Sequence, residues 1–303
     1  MTHPNISVIV PSLNGKKVIG NLIKSVEKQI FTGKIEIIVT DDGSTDGTTA
    51  YLKRIFPEVQ VIRFDKNRGS APAINAAAKI AVYEYLLVTN DDVVFEKNAL
   101  RHLLNCAQTQ PKAGIVTGKM LDIKGKFAIP GFRINHFLGY HPYDLTNKNK
   151  IRECDWAVGA CLLIKKRLLK KVGYFDEGYI FCGEEYDLSW QMRRLGLKIL
   201  YTPKAKFFHG FRRSSIPNQE LRFAHYRGKF RYLFKNGRLD HILVFLVFQL
   251  LIIPLFYLFY ERRSNIKPIY KAFVWNLVNL KKILKSRQET ALIIKKSNAQ
   301  TIS

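Results

Sequence analysis

Short apolar runs and amphipathic stretches alternate over the first hundred residues. The runs ISVIV (6–10), IEIIV (35–39), VQVIRF (59–64) and YLLVT (85–89) have the length and residue types of buried strands. Helix-like stretches sit at roughly 17–28, 46–56, 70–82 and 97–109. This alternation predicts an α/β domain with a parallel sheet and right-handed crossovers, whose ligands bind beyond the carboxyl ends of the strands. From 111 to 150 the pattern is irregular and predicts no element. WAVGACLLI (156–164) predicts one more strand, and a helix is predicted from near Glu184 to a stop at Gly196.

The pattern changes in the last third. Residues 242–260, ILVFLVFQLLIIPLFYLFY, carry no charge over 19 positions, about 28 Å if helical, close to a bilayer's hydrocarbon thickness. This predicts contact with a membrane, the alternative being a buried helix of a soluble core. Lys235 and Arg238 precede the run and Arg262 and Arg263 follow it, so a single crossing would export one basic flank against the positive-inside tendency. Pro254 predicts a kink, which favours a re-entrant or in-plane helix. Beyond it Phe273, Leu277, Leu280 and Leu284, interspersed with lysines, form one amphipathic stripe suited to a membrane surface or to the protein's own core. The predicted organisation is an α/β domain over 1–227, a basic hydrophobic region over 228–288 and a polar, disordered tail over 289–303.

Composition sharpens this division. The hydrophobic content of 47% is ample for a core and excludes a disordered chain. Of the formal charge of +25, residues 204–303 hold 20 Lys or Arg against 4 Asp or Glu, and the first 203 hold 29 against 20. Such a bias suggests a polyanion. The uncharged run beside it selects an anionic membrane surface over nucleic acid. The N-terminus shows no secretory pattern, so the expectation is a domain on the cytoplasmic side of the membrane, peripheral or re-entrant, with a single pass also possible. Cys106, Cys154, Cys161 and Cys182 lack metal-ligand spacing and read as core residues in a reducing compartment.

Acids cluster where strands end. DDGSTDGT follows the second strand, with Asp41 and Asp42 before a turn that Ser44, Thr45 or Asp46 can cap. NDDV follows the fourth, with Asp91 and Asp92 placed to hold a hard divalent cation, Mg²⁺ or Mn²⁺, completed by substrate phosphates. GEEYDLSWQMRRLG opens a helix with Glu184, Glu185 and Asp187. Acids there suit the helix dipole, and three in four residues also suit a site that accepts a proton. YTPKAKFFHG ends a strand at His209, a possible ligand.

These pieces, in this order, together with VIVPSLNG, NRGSAPAINAAA and WAVGACLLIKK, resemble the family 2 glycosyltransferases, inverting enzymes of the GT-A fold. The resemblance covers roughly 5–211 and is nearest to the rhamnosyltransferase-like branch acting on cell-surface polysaccharides. It implies Pro11, Asn14, Asn67 and Arg68 as donor-binding positions, Asp42 as the acid recognising the base and Asp91 as a ribose contact. Asp92 would be the principal metal ligand, His209 a second, and Glu185 the catalytic base. Trp156, Gly159, Ala160, Glu184 and Asp187 would form the sugar and acceptor pocket. Two departures stand out: Asn90 occupies a position where an acid is usual, and Glu185 replaces the more usual Asp. QMRRL does not match the Gln-x-x-Arg-Trp motif of processive synthases, which implies one sugar per encounter. The implied reaction moves a sugar from a UDP- or dTDP-sugar, dTDP-rhamnose among them, to a polyprenyl-diphosphate-linked or other glycan acceptor. A nucleic-acid-binding protein and an idle sugar-nucleotide scaffold are the competing readings.

Overall fold

A computed structural model describes residues 4–125, 128–129, 149–210, 218–260 and 266–299. The elements in chain order are β1 (Ile6–Ser12), α1 (Ile19–Glu27), β2 (Ile35–Asp41), α2 (Thr48–Ile55), β3 (Gln60–Arg63), α3 (Ser70–Ile80), β4 (Tyr85–Thr89), β5 (Val94–Phe95) and α4 (Ala99–Thr109). There follow β6 (Ala113–Leu121), β7 (Ala128–Ile129), β8 (Arg152–Cys154), β9 (Cys161–Lys165), α5 (Lys166–Lys171), α6 (Glu184–Arg194) and β10 (Lys198–Phe208). Helices α7 (Asn218–Asn236), α8 (Leu239–Val247), α9 (Ile253–Phe259), α10 (Ile266–Val278) and α11 (Leu280–Ala299) complete the described residues.

One sheet runs in the order β3-β2-β1-β4-β9-β6-β10-β5, with β7 on β6 and β8 on β10. The first four strands of this order are parallel, as the alternating pattern predicts. The second half is mixed, because β9 runs antiparallel to both β4 and β6, and the expectation of a purely parallel sheet is corrected there. Strand β6 was missed by the sequence pattern. It is buried through its centre, where a strand covered on both faces shows no alternation, and glycines at 114 and 118 interrupt its apolar run. The strand predicted at 156–164 begins only at Cys161. Residues 156–160 form a turn closed by the Cys161 N–H on the Val158 carbonyl at 3.0 Å.

The strand period of two sorts the core. Ile6, Val8 and Val10 point to the face covered by α1 and α4, while Ile9 joins Ile74 and Ala77 of α3 and Leu188 and Met192 of α6 on the other. In α1 the buried Ile19, Leu22, Ile23 and Val26 repeat at helical spacing, which is why this stretch covers the sheet. Cys106, Cys154 and Cys161 are buried in these two layers as ordinary apolar residues, and burial pushes the Cys106 thiol up to about 11.

A third cluster is helical, built on Phe230, Leu233, Phe234, Phe245, Ile269 and Ile283. The division expected at 227 falls inside α7, one continuous helix. Its Tyr232 packs with the sheet core, whereas Phe230 and Phe234 pack with the C-terminal helices. Helices α8 and α9 are joined by a π-helical turn at Phe248–Ile252, which lets Pro254 start a new segment without ending the helix. The amphipathic stripe is also redrawn. The helix breaks at Asn279, with Phe273 and Leu280 turned to the third cluster and Leu277 and Leu284 exposed. Residues 289–299 continue α11, a correction to the expected disordered tail, with Ile294 buried against the protein.

Candidate active site

Strand ends on one edge of the sheet bring the acidic motifs together. After β2, Asp41 is fully buried and accepts from the Ser44 N–H at 2.8 Å, from the Thr49 hydroxyl, and from Arg63 Nη1 at 2.8 Å. These bonds hold its carboxyl below the usual carboxylate range against the opposing effect of burial. Its neighbour Asp42 turns the other way. It accepts from the backbone N–H groups of Arg68 at 2.7 Å and Gly69 at 2.9 Å, while burial raises its pKa. Asp42 therefore shapes the 64–69 loop.

The other donor-side positions have definite places. Asn14 adopts φ of 56°, a left-handed conformation that asparagine tolerates, and its side chain accepts from the Thr45 N–H at 2.8 Å, tying the β1 and β2 loops together. Pro11 is half-buried beside it in β1. Asn67 and Arg68 are exposed; Asn67 Oδ1 caps the Gly69 N–H at 3.0 Å and Arg68 lies over the Phe64 ring at 4.6 Å. Asp91 accepts from the Ser12 hydroxyl at 2.7 Å.

Strand β5 pairs Val94 with Phe208 of β10, and this register delivers His209 to the end of β4. His209 Nε2 lies 3.2 Å from Asp92 Oδ1 and 3.1 Å from Asn90 Nδ2. Nε2 has a single lone pair, so a cation held here by His209 and the Asp92 carboxylate would take the place of the Asn90 contact. A divalent cation fits that donor set, since Mg²⁺-type sites use one or two protein ligands and take the rest from phosphates and water. Among the described residues no cluster of three His, Cys, Asp or Glu side chains competes with it.

The proton-accepting side is built by α6 and the loop before it. Gly69, at φ of 97°, allows the backbone of Ile180 to pack directly on it, and a side chain there would collide with the Ile180 carbonyl. The Ser70 N–H donates to the same carbonyl at 3.2 Å, and the Ser70 hydroxyl donates to Glu184 Oε1 at 2.7 Å. Glu184 and Glu185 stand side by side at the start of α6, and the Gly183 N–H donates to Glu185 Oε2 at 3.1 Å. Burial and the adjacent Glu184 raise Glu185 to about 8, the behaviour of two carboxyls sharing a proton. The carboxyl of Glu185 faces Gly159 across a gap a methyl group would fill.

Three expected pocket residues lie elsewhere. Asp187 is fully buried, because two residues past Glu185 a helix has turned by about 200°. It accepts from Lys235 Nζ, Asn236 Nδ2 and Gln191 Nε2, each at 2.7 Å. Trp156 packs edge-on against Tyr186 with ring centres 3.9 Å apart, and Ala160 is buried with its carbonyl accepting from the Thr89 hydroxyl at 2.9 Å. They support the site from behind. The sequence reading missed Ser12, Arg63 and Ser70. None belongs to an acidic motif, and the signal that finds them is their position at the strand and helix ends where the acids cluster.

A sheet of this order, with acids at the ends of β2 and β4 and a carboxyl pair opening α6, defines a nucleotide-sugar transferase architecture of the GT-A kind. The glycosyl transferase family 2 model matches residues 7–173, more than half of the chain, and the protein belongs to that family. Its relatives include a poly-beta-1,6-N-acetyl-D-glucosamine synthase of Staphylococcus epidermidis, 28% identical over 66% of this chain and 48% of the relative. Another is the N-acetylglucosaminyl-diphospho-decaprenol L-rhamnosyltransferase of Mycobacterium tuberculosis, 25% identical over 58% of this chain and 66% of the relative. The chain thus spans about half the length of the first and less than two thirds of the second. In fold it is similar to the mannosyltransferase PcManGT of Pyrobaculum calidifontis in complex with GDP-Man and Mn²⁺, with a TM-score of 0.60, 18% identity, and 99% of this chain and 85% of that one covered. It is also similar to S. aureus TarS in complex with UDP, with a TM-score of 0.55, 18% identity, and 98% and 92% covered.

Proposed function

We propose that the protein is an inverting, non-processive glycosyltransferase that uses a nucleoside-diphosphate sugar, a UDP- or dTDP-sugar, and a lipid-linked or cell-surface glycan acceptor. The observation that carries this reading is the Glu184–Glu185 pair, held through Ser70 to the loop that Asp42 anchors. A carboxyl raised toward neutrality is matched to taking the acceptor hydroxyl's proton as that oxygen attacks the anomeric carbon. The sugar–phosphate bond breaks in the same step, with inversion and no covalent intermediate. Asp92 and His209 would hold Mg²⁺ or Mn²⁺, which supplies charge stabilisation for the departing diphosphate. Asp91, fixed by Ser12, would meet the ribose and Asp42 the base. The mannosyltransferase in complex with GDP-Man and Mn²⁺ supports the metal and the donor class, and the decaprenol-diphosphate relative supports a lipid-linked acceptor.

The same reading extends to the membrane. Residues Leu239–Phe259 form 21 residues of apolar helix whose side chains are mostly exposed, about 31 Å long at helical rise and so able to meet the hydrocarbon layer. With basic residues on both sides, it is proposed to hold the enzyme on the cytoplasmic leaflet, where a polyprenyl diphosphate is presented. The test is a screen of purified protein against nucleotide sugars, reading donor hydrolysis with Mg²⁺, Mn²⁺ or EDTA. Metal-dependent release of a nucleoside diphosphate from one donor is the expected result. No turnover of any donor, or undiminished turnover in EDTA, sinks the corresponding part.

A further inference from the structure

Between the carboxyl pair and the apolar helices sits a cation that the proposed mechanism has not used. Arg227, on α7, is only 8% exposed. Its guanidinium carbon lies 5.6 Å from the centre of the Phe223 ring and 5.1 Å from that of Trp275. Lys271 stands over the same Phe223 ring at 4.8 Å. Among the described residues the Arg227 guanidinium makes no hydrogen bond and no ion pair, whereas Arg231, one turn on, is bonded twice to Asp176 at 2.9 Å. A guanidinium seated against two aromatic rings, with no carboxylate bonded to it, keeps its donors for an anion from outside.

The surroundings say which anion. Gly228, the next residue, has its Cα against Gly183, the residue that precedes the carboxyl pair, and a side chain at either position would separate α7 from that loop. On the opposite side α10 supplies Trp275 and Lys271, and its Asn276 donates to the Arg227 carbonyl at 3.2 Å. The apolar helix Leu239–Phe259 lies between α7 and α10 in sequence and packs with both through Phe245 and Ile269. The place therefore has the loop that precedes the carboxyl pair on one side and the base of the apolar helix on the other. A guanidinium with fixed planar donors is suited to phosphate oxygens.

We propose that Arg227, assisted by Lys271, is the binding subsite for the diphosphate of a prenyl-diphosphate-linked acceptor, with the prenyl chain running out along the apolar helix. This rests on the glycosyltransferase reading above, and it assigns the acceptor's diphosphate to the helical layer, apart from the Asp92–His209 end of the sheet where the donor's diphosphate belongs.

Trp275, against the guanidinium, is a built-in reporter. The full chain in detergent micelles is titrated with farnesyl diphosphate, inorganic pyrophosphate, farnesol and UDP while tryptophan emission is followed. Saturable quenching by farnesyl diphosphate is expected, lost in Trp275→Phe, absent with farnesol, and weakened about tenfold or more in Arg227→Gln, as removal of a charge-assisted phosphate bond implies. Thermal melting establishes that Arg227→Gln is folded; if it is not, the exposed Lys271→Gln serves in its place, with a loss of about two- to fivefold. Equal binding of farnesyl diphosphate by wild type and the variants overturns the proposal. Equal affinity for pyrophosphate and farnesyl diphosphate overturns the lipid assignment in favour of a soluble phosphate. Loss of UDP binding in Arg227→Gln would move the residue to the donor site and overturn it as well. The titration needs no donor sugar, so failure of every nucleotide sugar to turn over would sink the glycosyltransferase reading while leaving this result readable.

Discussion

Val8 and Ile9 of β1 and Leu86 and Leu87 of β4 are fully buried, while Leu243, Leu251 and Leu255 of the C-terminal helix are 56%, 58% and 53% exposed. Both regions are built from the same aliphatic residues. In the sheet the strands are covered on both faces by helices, so the fold itself removes the apolar surface from water. In the helix the fold covers only one stripe, through Phe245 and its neighbours. An apolar surface this continuous is unfavourable in water at roughly 25 cal/mol per Å². It is the face proposed to meet a bilayer. Polar groups divide as well: the sheet edge gathers the buried Asp42, Asp91 and Asp92, and α6 and α7 close Asp187 and Lys235 into a sealed network with Asp176.

The comparison breaks most sharply at the cleft. Glu185→Gln keeps shape but cannot accept a proton, and turnover is expected to fall by about 10²- to 10⁴-fold while nucleotide affinity, measured by calorimetry, changes little. Retention of more than about a tenth of turnover would remove Glu185 from the base role. Asp92→Ala is expected to cost turnover about 10²-fold or more, as loss of transition-state charge stabilisation does, with donor affinity no longer responding to added Mn²⁺.

In the sealed network the expected effect is on stability. Asp187→Ala strips Lys235 of a 2.7 Å partner where both side chains are 1% exposed, and breaking such a pair costs about 3–5 kcal/mol, read by urea unfolding. Lys235 also bonds Asp176 at 2.8 Å, and Asp176 accepts from Arg231 and from Ser286 of α11. A cost below 1 kcal/mol would show that these bonds compensate. The exposed face behaves oppositely. Leu243→Glu, Leu251→Glu and Leu255→Glu together are expected to abolish flotation with anionic liposomes, yet each shifts stability by only about 0.5 kcal/mol. Strong destabilisation instead would mean that the protein itself covers this face.

The smallest expected effect is a shift of a pH profile. Glu185 is raised to about 8 by burial and by Glu184, and a base must be deprotonated, so turnover is expected to rise with pH through that region. Glu184→Gln removes the like charge and lowers the Glu185 pKa, moving the rise to lower pH. A profile that stays in place would uncouple the two carboxyls.

Much of this was legible along the chain. Strands β1 to β4 were readable because short β-rich runs between amphipathic helices admit few arrangements, and the acids at their ends marked the cleft edge. Strand β6 was not, since a strand buried on both faces and broken by glycines has no alternation to detect. Nor was the role of Asp187, which shares a motif with Glu185 but points to the opposite side of α6.

Order and spacing of residues by themselves determined the α/β class, the sheet edge that carries Asp42, Asp91 and Asp92, and the uncharged helix, because each depends on local periodicity and composition. Only the tertiary structure decided that Asp187 turns away from Glu184 and Glu185, that His209 meets Asp92, and that Arg227 sits against Phe223 and Trp275 next to the loop before the carboxyl pair. Those facts depend on the register of β5 on β10 and on the backbone contact of Gly183 with Gly228, contacts between segments far apart in the chain that no local pattern records.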